Sequence, residues 1–278
     1  MKIIDYKEGD DLTKILEISK YDPQLTEEQK IIEDKKSKSK ILKFFMGFAW
    51  FRWVYFKLTT VEKGWPKWIS RTDEERIQTC AGIFIRNIFK FWYVTEKIDG
   101  QSATFFYHKV RRWGFPSWMF GVCSRNIWLK KKDNSNYWKI AEKLNLEHIF
   151  SEFNKELVLQ GEIAGPAIQK NKYGLKEIDL FVFNVIIDGK KCSVEEMEKF
   201  CFEFGFKTVP ILYRSLDSNL MFGNLIEVKD VVQALVKFST ARSLMADIPR
   251  EGIVVRLIDN PNVSFKAINP EFLLKFGE

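Results

Sequence analysis

"TEKIDGQSATFFYH", Thr95–His108, sets Lys97 beside Glu96 and two residues before Asp99, then passes through Gly100 into a run that alternates like a strand. In an extended segment successive side chains point to opposite faces, so Thr95, Lys97 and Asp99 share one face and Glu96 and Ile98 the other. The lysine then stands beside a carboxylate on a half-buried surface. An ammonium there is either one half of a structural ion pair or a nucleophile awaiting loss of its proton. A free lysine titrates near about 10.4, so the second reading needs burial, a nearby cation or a metal to free the lone pair. The four letters "KIDG" leave both readings open.

Outward from this stretch the pattern mixes strands and helices. "SATFFYHKV" and "WMFGVCSRN" read as strands with a turn-like "GFPS" between them, and a helix is expected from Tyr137 to about Phe153. "ELVLQGEIAG" and "DLFVFNVII" read as strands. A helix capped by Ser193, with Glu196 in the reciprocal position, ends at Gly205. A long helix from about Lys229 to Asp247 precedes the strands "EGIVVRL" and "SFKAI". Upstream, "TDEERIQ" reads as a helix start, with Thr72 as N-cap and Glu75 at the third helical position. Strands mixed with helices, without regular βαβ alternation, give an α+β class rather than a doubly wound sheet.

Residues 1–70 differ from this pattern. They hold a helix expected from a cap at Thr26 with Gln29 three residues on, the basic run "EDKKSKSKILK", and a Trp/Phe-rich stretch reaching Trp68. The lysines suit either phosphate contacts or a solvated linker, and "FAWFRWVYF" suits either base stacking or a core face. The expected division is an N-terminal module of residues 1–70 and a main domain of residues 71–278.

Composition narrows the function classes. Of 278 residues 46% are hydrophobic and 15% aromatic, which excludes a disordered or fibrous chain. The longest apolar run, "FFMGFAWF", is far short of the roughly 20 residues of a membrane span, so no membrane association is expected. The start "MKIIDYKEGDD" lacks the features of a signal peptide, which points to an intracellular, cytoplasmic protein. Four dispersed cysteines and two histidines make a zinc site an unpromising reading and suggest reduced, mostly buried thiols. A net charge of +7 favours an anionic partner.

Four further segments carry residues of chemical interest. Glu162 precedes the abrupt Gly165-Pro166 turn, where a ligand could approach. Phe181 and Phe183 alternate onto one strand face, as a stacking surface or as core. Glu251 shares a face with Ile253 and Val255, and Lys266 with Ser264 and Ile268. An acid on an inward face needs a partner or a metal.

In their order, "TDEERIQ", "EKIDG", "FGVCSRN", "QGEIAGPAIQKNKYGL", "DLFVFNV", "EGIVV" and "SFKAI" resemble the nucleotidyltransferase motifs of ATP-dependent RNA ligases of the nick-sealing phage type and their bacterial and protist relatives. The resemblance spans roughly Ser70 to Asn269 and includes a phage origin among its implications. It implies an adenylylation domain of antiparallel sheets flanked by helices, with ATP and Mg²⁺ or Mn²⁺ as cofactors. It also implies RNA with 5′-phosphate and 3′-hydroxyl ends as partner, and a monomer. Lys97 is implied as the adenylylated nucleophile, Glu96 as an adenine contact, and Asp99 and Gly100 as loop-shaping residues. Arg125 is implied to meet the nucleotide or RNA phosphate, Glu162 the ribose, and Phe183, or else Phe181, the adenine face. Glu251 is implied to support a metal or the lysine, Lys266 to bind the α-phosphate, and Arg76 to lie near the triphosphate.

Two departures stand out. The family's last motif usually carries two lysines one residue apart, and here the first is Ser264. Twelve residues follow Lys266, fewer than a C-terminal domain needs, which speaks against a DNA ligase or capping enzyme and leaves RNA docking to the N-terminal module or the core surface. A DNA ligase, a capping-type nucleotidyltransferase and a catalytically impaired RNA-binding relative remain the alternatives.

Overall fold

The computed structural model describes residues 48, 62–112, 115–129, 134–219 and 228–277. The expected helix at Thr26, the lysine run and most of the aromatic stretch lie outside the described residues. Contacts divide the chain between Thr60 and Val61, ahead of the boundary read near residue 70, and the second unit holds every element below.

Two sheets form that unit. The larger contains β1 (Glu62–Gly64), β3 (Gln101–Arg112), β4 (Phe115–Cys123), β5 (Ile127–Leu129), β6 (Leu157–Ala164), β7 (Asp179–Ile187), β8 (Lys190–Lys191) and β9 (Lys207–Thr208). Its order is β1-β5-β4-β3-β6-β7-β8, and β9 joins β7 in the one parallel pairing among the described strands. The smaller contains β2 (Phe91–Lys97), β10 (Ile211–Asp217), β11 (Gly252–Leu257) and β12 (Ser264–Ile268), in the order β10-β2-β11-β12. The mixed α+β class with antiparallel sheets flanked by helices is therefore the observed one.

Period-2 alternation fixes which face of each sheet is buried. On the smaller sheet Trp92, Val94, Ile253, Val255 and Phe265 point to one side and pack on α1 (Ile77–Arg86) and α5 (Val228–Ser239) through Phe84 and Leu235. On the larger sheet Phe105, Val122, Leu157, Leu159 and Val182 pack on α2 (Asn136–Lys143), α3 (Leu146–Phe153) and α4 (Val194–Glu203) through Trp138, Phe150 and Phe200. Each such fully buried side chain contributes about 1.5–3 kcal/mol. The opposite faces are thereby left for other work. They carry Lys97 and Lys266 on one sheet and Glu162 on the other, and a small cluster of Ile98, Ala164, Tyr173, Phe181 and Val209 joins the two.

The helix at Ser193 follows its local signal: Ser193 Oγ accepts from the Glu196 N–H at 3.2 Å, and Glu196 answers through the Ser193 N–H at 2.7 Å. Four other readings need correction. No capping box forms at Thr72; the helix starts at Ile77 with Arg76 as N-cap, because the Glu75 carbonyl accepts the Lys266 N–H at 2.8 Å. The helix expected from Tyr137 to Phe153 is two helices, broken where Asn145 turns left-handed at φ 50°. The helix expected to reach Asp247 ends at Ser239, since the following residues bond elsewhere. The "GFPS" turn is shorter than read: Phe115 and Pro116 already pair with Arg112 and Arg111 in the β3–β4 ladder.

Candidate active site

β2 delivers Lys97 as its last residue, opposite Gly252 at the start of β11. Lys97 Nζ donates to Glu251 Oε1 at 2.5 Å, joining residues 154 positions apart. Alternation would send Glu251 to the helix-packed face with Ile253, contrary to where it is found. The strand begins only at Gly252, and the residue before it turns its carboxylate to the lysine. The Lys97 side chain is 26% exposed. Burial works to lower its pKa, but Glu251, Glu162 and Asp99 outweigh burial and hold it above the ordinary lysine value. At neutral pH the free protein therefore carries an ammonium here, with no lone pair to offer.

Glu162 faces the same space from β6. Burial, reinforced by Glu251 and Asp99 and opposed by Lys97 and Arg125, pushes its carboxyl up to about 8. Gly100 makes this approach possible, since a Cβ at that position would lie 2.4 Å from the Ile163 carbonyl and 2.9 Å from Glu162 Cγ. Asp99, expected beside Lys97, is held by Lys172 at 2.5 Å with both side chains buried, while the Asp99 N–H donates to the Tyr173 hydroxyl at 2.8 Å. Lys172 also lies 4.7 Å from the ring centroids of Phe272 and Phe276. The Asp99 carboxylate thus fixes the loop after Lys97.

Lys266 lies on β12 opposite Val254, on the same face as Ser264 and Ile268 as alternation required. Burial lowers its pKa, and Lys97, Arg125 and Arg76 lower it further against Asp73. It has no ion-pair partner among the described residues. Arg76 bridges to Lys266 through the backbone, and Arg125 is held to Asp73 at 2.5 Å. Asp73 and Glu74 are taken up by Arg125 and by Ser264 and Arg256, which leaves the Lys266 ammonium as the cation on offer to an anion. Ser264, where the resemblance leads one to expect lysine, donates to Glu74, which also pairs with Arg256 at 3.3 Å. Arg256 is the cross-strand partner of Ser264, so the guanidinium at this level of the sheet is already committed to Glu74 and to the Phe183 carbonyl at 3.1 Å.

Phe183 is half-buried against the cluster containing Ile98, Tyr173 and Phe181, whereas Phe181 is buried within it. A register shift places Phe183 between the pairs Gly161–Val182 and Gln160–Asn184, so it is the extra residue of a bulge. Glu96, on the other face from Lys97, accepts from Ser243 Oγ and from the Leu244 N–H at 2.8 Å. Its carboxylate therefore anchors the loop that brings Met245 and Ile248 to the Phe183 cluster. Sequence reading missed Asp73, Glu74, Lys172, Tyr173, Ser243 and Arg256. Their partners lie far away along the chain, and only the sheet register reveals them.

Together the cleft offers an amine among carboxylates, a half-buried aromatic surface and an anion site. The sequence model of the RNA ligase family matches residues 90–268, more than half of the chain, and takes in Lys97, Glu162, Phe183, Glu251 and Lys266. The chain belongs to the RNA ligase family. Solved structures agree: a Naegleria gruberi RNA ligase variant with AMP and Mn is 28% identical over 76% of this chain with a TM-score of 0.64. Another, apo, is 30% identical with a TM-score of 0.63. A third, with ATP and Mn, is 25% identical over 98% of this chain with a TM-score of 0.67. This family member spans 59% of the length of the first two and 69% of the third. No curated protein sequence matches it significantly.

The donor set suits a hard divalent cation, being carboxylate oxygen throughout. Among the described residues no group of three or more ligating side chains forms a ready cage. Mg²⁺ is commonly held by one or two carboxylates plus substrate phosphates, and Glu251 and Glu162 both face this space. No described helix is long and apolar enough to cross a membrane.

Proposed function

We propose that this chain is an ATP-dependent RNA ligase that forms a lysyl-AMP at Lys97, passes AMP to an RNA 5′-phosphate and joins that end to an RNA 3′-hydroxyl. The observation that carries the reading is the Lys97–Glu251 contact at 2.5 Å, facing Glu162 and Lys266, in a chain of the RNA ligase family. In this proposal residues 71–278 carry the chemistry, with the N-terminal module of residues 1–70 appended.

In the first step the neutral Lys97 amine attacks the α-phosphorus of ATP. Lys97 has first released its ammonium proton to solvent; the N–P bond then forms as the bond to the α–β bridging oxygen breaks, pyrophosphate leaves, and the amine's second proton passes to solvent. Lys266 neutralises the α-phosphate, with Arg76 and Arg125 nearby; preorganised charge of this kind is typically worth about 2.7–4 kcal/mol per group. Glu162 meets the ribose, and its raised pKa lets it donate as well as accept a hydrogen bond at neutral pH. Phe183 stacks on adenine. Glu96 supports that pocket by holding the loop at Ser243 and Leu244, and Asp99 and Gly100 hold the loop after the nucleophile. A bound Mg²⁺ or Mn²⁺ would be held by Glu251 with nucleotide phosphates, and supplies positive charge that offsets the carboxylates around Lys97.

In the second step the RNA 5′-phosphate oxygen attacks the lysyl-AMP phosphorus and frees the Lys97 amine. The 3′-hydroxyl then attacks the activated 5′-phosphorus, forming the phosphodiester and releasing AMP. The test is joining of 5′-phosphorylated RNA, as a nicked duplex and as single strands, with ATP and Mn²⁺. A product longer by one strand supports the reading; no joining in either substrate with a folded, pure chain contradicts it.

A further inference from the structure

The face of the larger sheet that carries Glu162 does not end at the cleft. Ser102 pairs with Glu162, and Phe106 and His108 follow on the same face of β3. From Ser102 to His108 is about 20 Å along the strand, the span of a few nucleotides. There Trp68 lies flat on His108, with ring centroids 4.5 Å apart and planes 15° apart. Trp68 is nonetheless 49% exposed.

The pair is rigidly mounted. His108 Nδ1 lies 2.9 Å from Glu156 Oε1, and Trp68 meets the edges of Phe106 at 6.1 Å and Trp128 at 6.4 Å. A cation stands one ring away: the Arg71 guanidinium sits 5.7 Å from the centroid of Trp65, which packs in the same cluster as Phe106 and Trp128, and donates to Asn126 at 3.2 Å. Between this group and the cleft lie Thr72, bonded to Ser102 at 2.8 Å, and the Asp73–Arg125 pair. An exposed indole on a fixed stack, an exposed arginine, and continuity with a cationic cleft describe a surface for a base and its phosphate.

We propose that Trp68, backed by His108 and with Arg71 over the neighbouring Trp65, is a stacking platform for a nucleobase of the RNA substrate, away from the bond being made. The choice of RNA rests on the ligase reading above. Stacking of one base on an aromatic ring is sequence-tolerant, so the platform strengthens binding of any RNA end without choosing its sequence.

The test uses the full chain and a 5′-phosphorylated, 3′-fluorescein single-stranded RNA, with anisotropy measured in the absence of ATP. Trp68→Ala is expected to weaken RNA binding about 5- to 100-fold and Trp68→Phe to retain most of it. Lysyl-AMP formation from ATP alone, read in parallel, stays within about twofold of wild type because Trp68 is remote from that step. The platform is overturned if Trp68→Ala binds RNA like wild type, or if the wild type binds no RNA. It is also overturned if Trp68→Ala loses lysyl-AMP formation in step with RNA binding, which marks a structural role. Trp68-dependent RNA binding by a chain that forms no lysyl-AMP supports the platform and sinks the ligase reading instead.

Discussion

Lys97 and Lys266 stand on β2 and β12, the two strands that flank β11, yet the two sides of the cleft differ in charge. Lys97 meets Glu251, Glu162 and Asp99, which raise its pKa against burial. Lys266 is lowered by burial and then by Lys97, Arg125 and Arg76. Burial acts on both in the same direction; neighbours decide the outcome. In the proposed ligase this difference divides the tasks: the Lys266 side would take the anion, and the acid-rich side would hold the nucleophile in its resting, protonated form until added positive charge offsets the carboxylates.

The largest effect comes from removing the acid-side amine. Lys97→Met should reduce lysyl-AMP formation by about 10⁴-fold or more, since no other group supplies the covalent bond. Lys266→Met removes the free cation of the other side and should slow lysyl-AMP formation about 10²- to 10³-fold, mainly in rate rather than ATP affinity. If the two losses are equal and confined to ATP affinity, the division of labour is wrong.

Glu251→Gln sharpens the comparison because it makes the acid side less acidic. With one raising carboxylate gone, Lys97 loses its proton more readily, so the rising limb of the pH–rate profile for lysyl-AMP formation should move to lower pH. The maximal rate should still fall, about 10- to 100-fold, for loss of the group proposed to support the metal. An unshifted limb would show that Glu251 does not set the Lys97 proton affinity.

The smallest effect concerns stability. The Glu162 carboxyl is raised from 4.5 to about 8 in the folded chain. The folded state binds more protons between those values, so this group's contribution is fully present below about pH 4.5 and is lost as pH rises through about 8. Glu162→Gln should flatten that decline by on the order of 1 kcal/mol in denaturant titrations across the window. An unchanged slope would mean that Glu162 is better solvated than its burial suggests.

What could be read from sequence was what short-range physics decides. The Ser193–Glu196 capping box, the alternating strands and the ordered motifs depend on residues a few positions apart. Thr72 carried the same capping letters as Ser193 and failed, because Glu75 gives its carbonyl to Lys266 and Glu74 its carboxylate to Ser264 and Arg256. The helix after Val228 stopped at Ser239 because a buried Glu96 captures Ser243 and Leu244. Lys97 and Glu251 were visible, and the resemblance implied that Glu251 supports the lysine or a metal, but the geometry of their contact was not legible. It depends on β11 pairing with β2 in one register and on the chain leaving the strand one residue before Gly252. At Thr72 and beyond Ser239 a distant partner displaced a local preference, whereas the break at Asn145 is local.

The central claim is that Lys97 becomes the nucleophile once its carboxylate company is neutralised. The direct measurement is incubation of the full chain with α-³²P-ATP and Mn²⁺ across pH 6–9, followed by denaturing electrophoresis and peptide mapping of the label. The expected result is an acid-labile, base-stable label on the peptide containing Lys97, forming faster as pH rises and absent from Lys97→Met. A label at another residue, or an equal band from Lys97→Met, would contradict it.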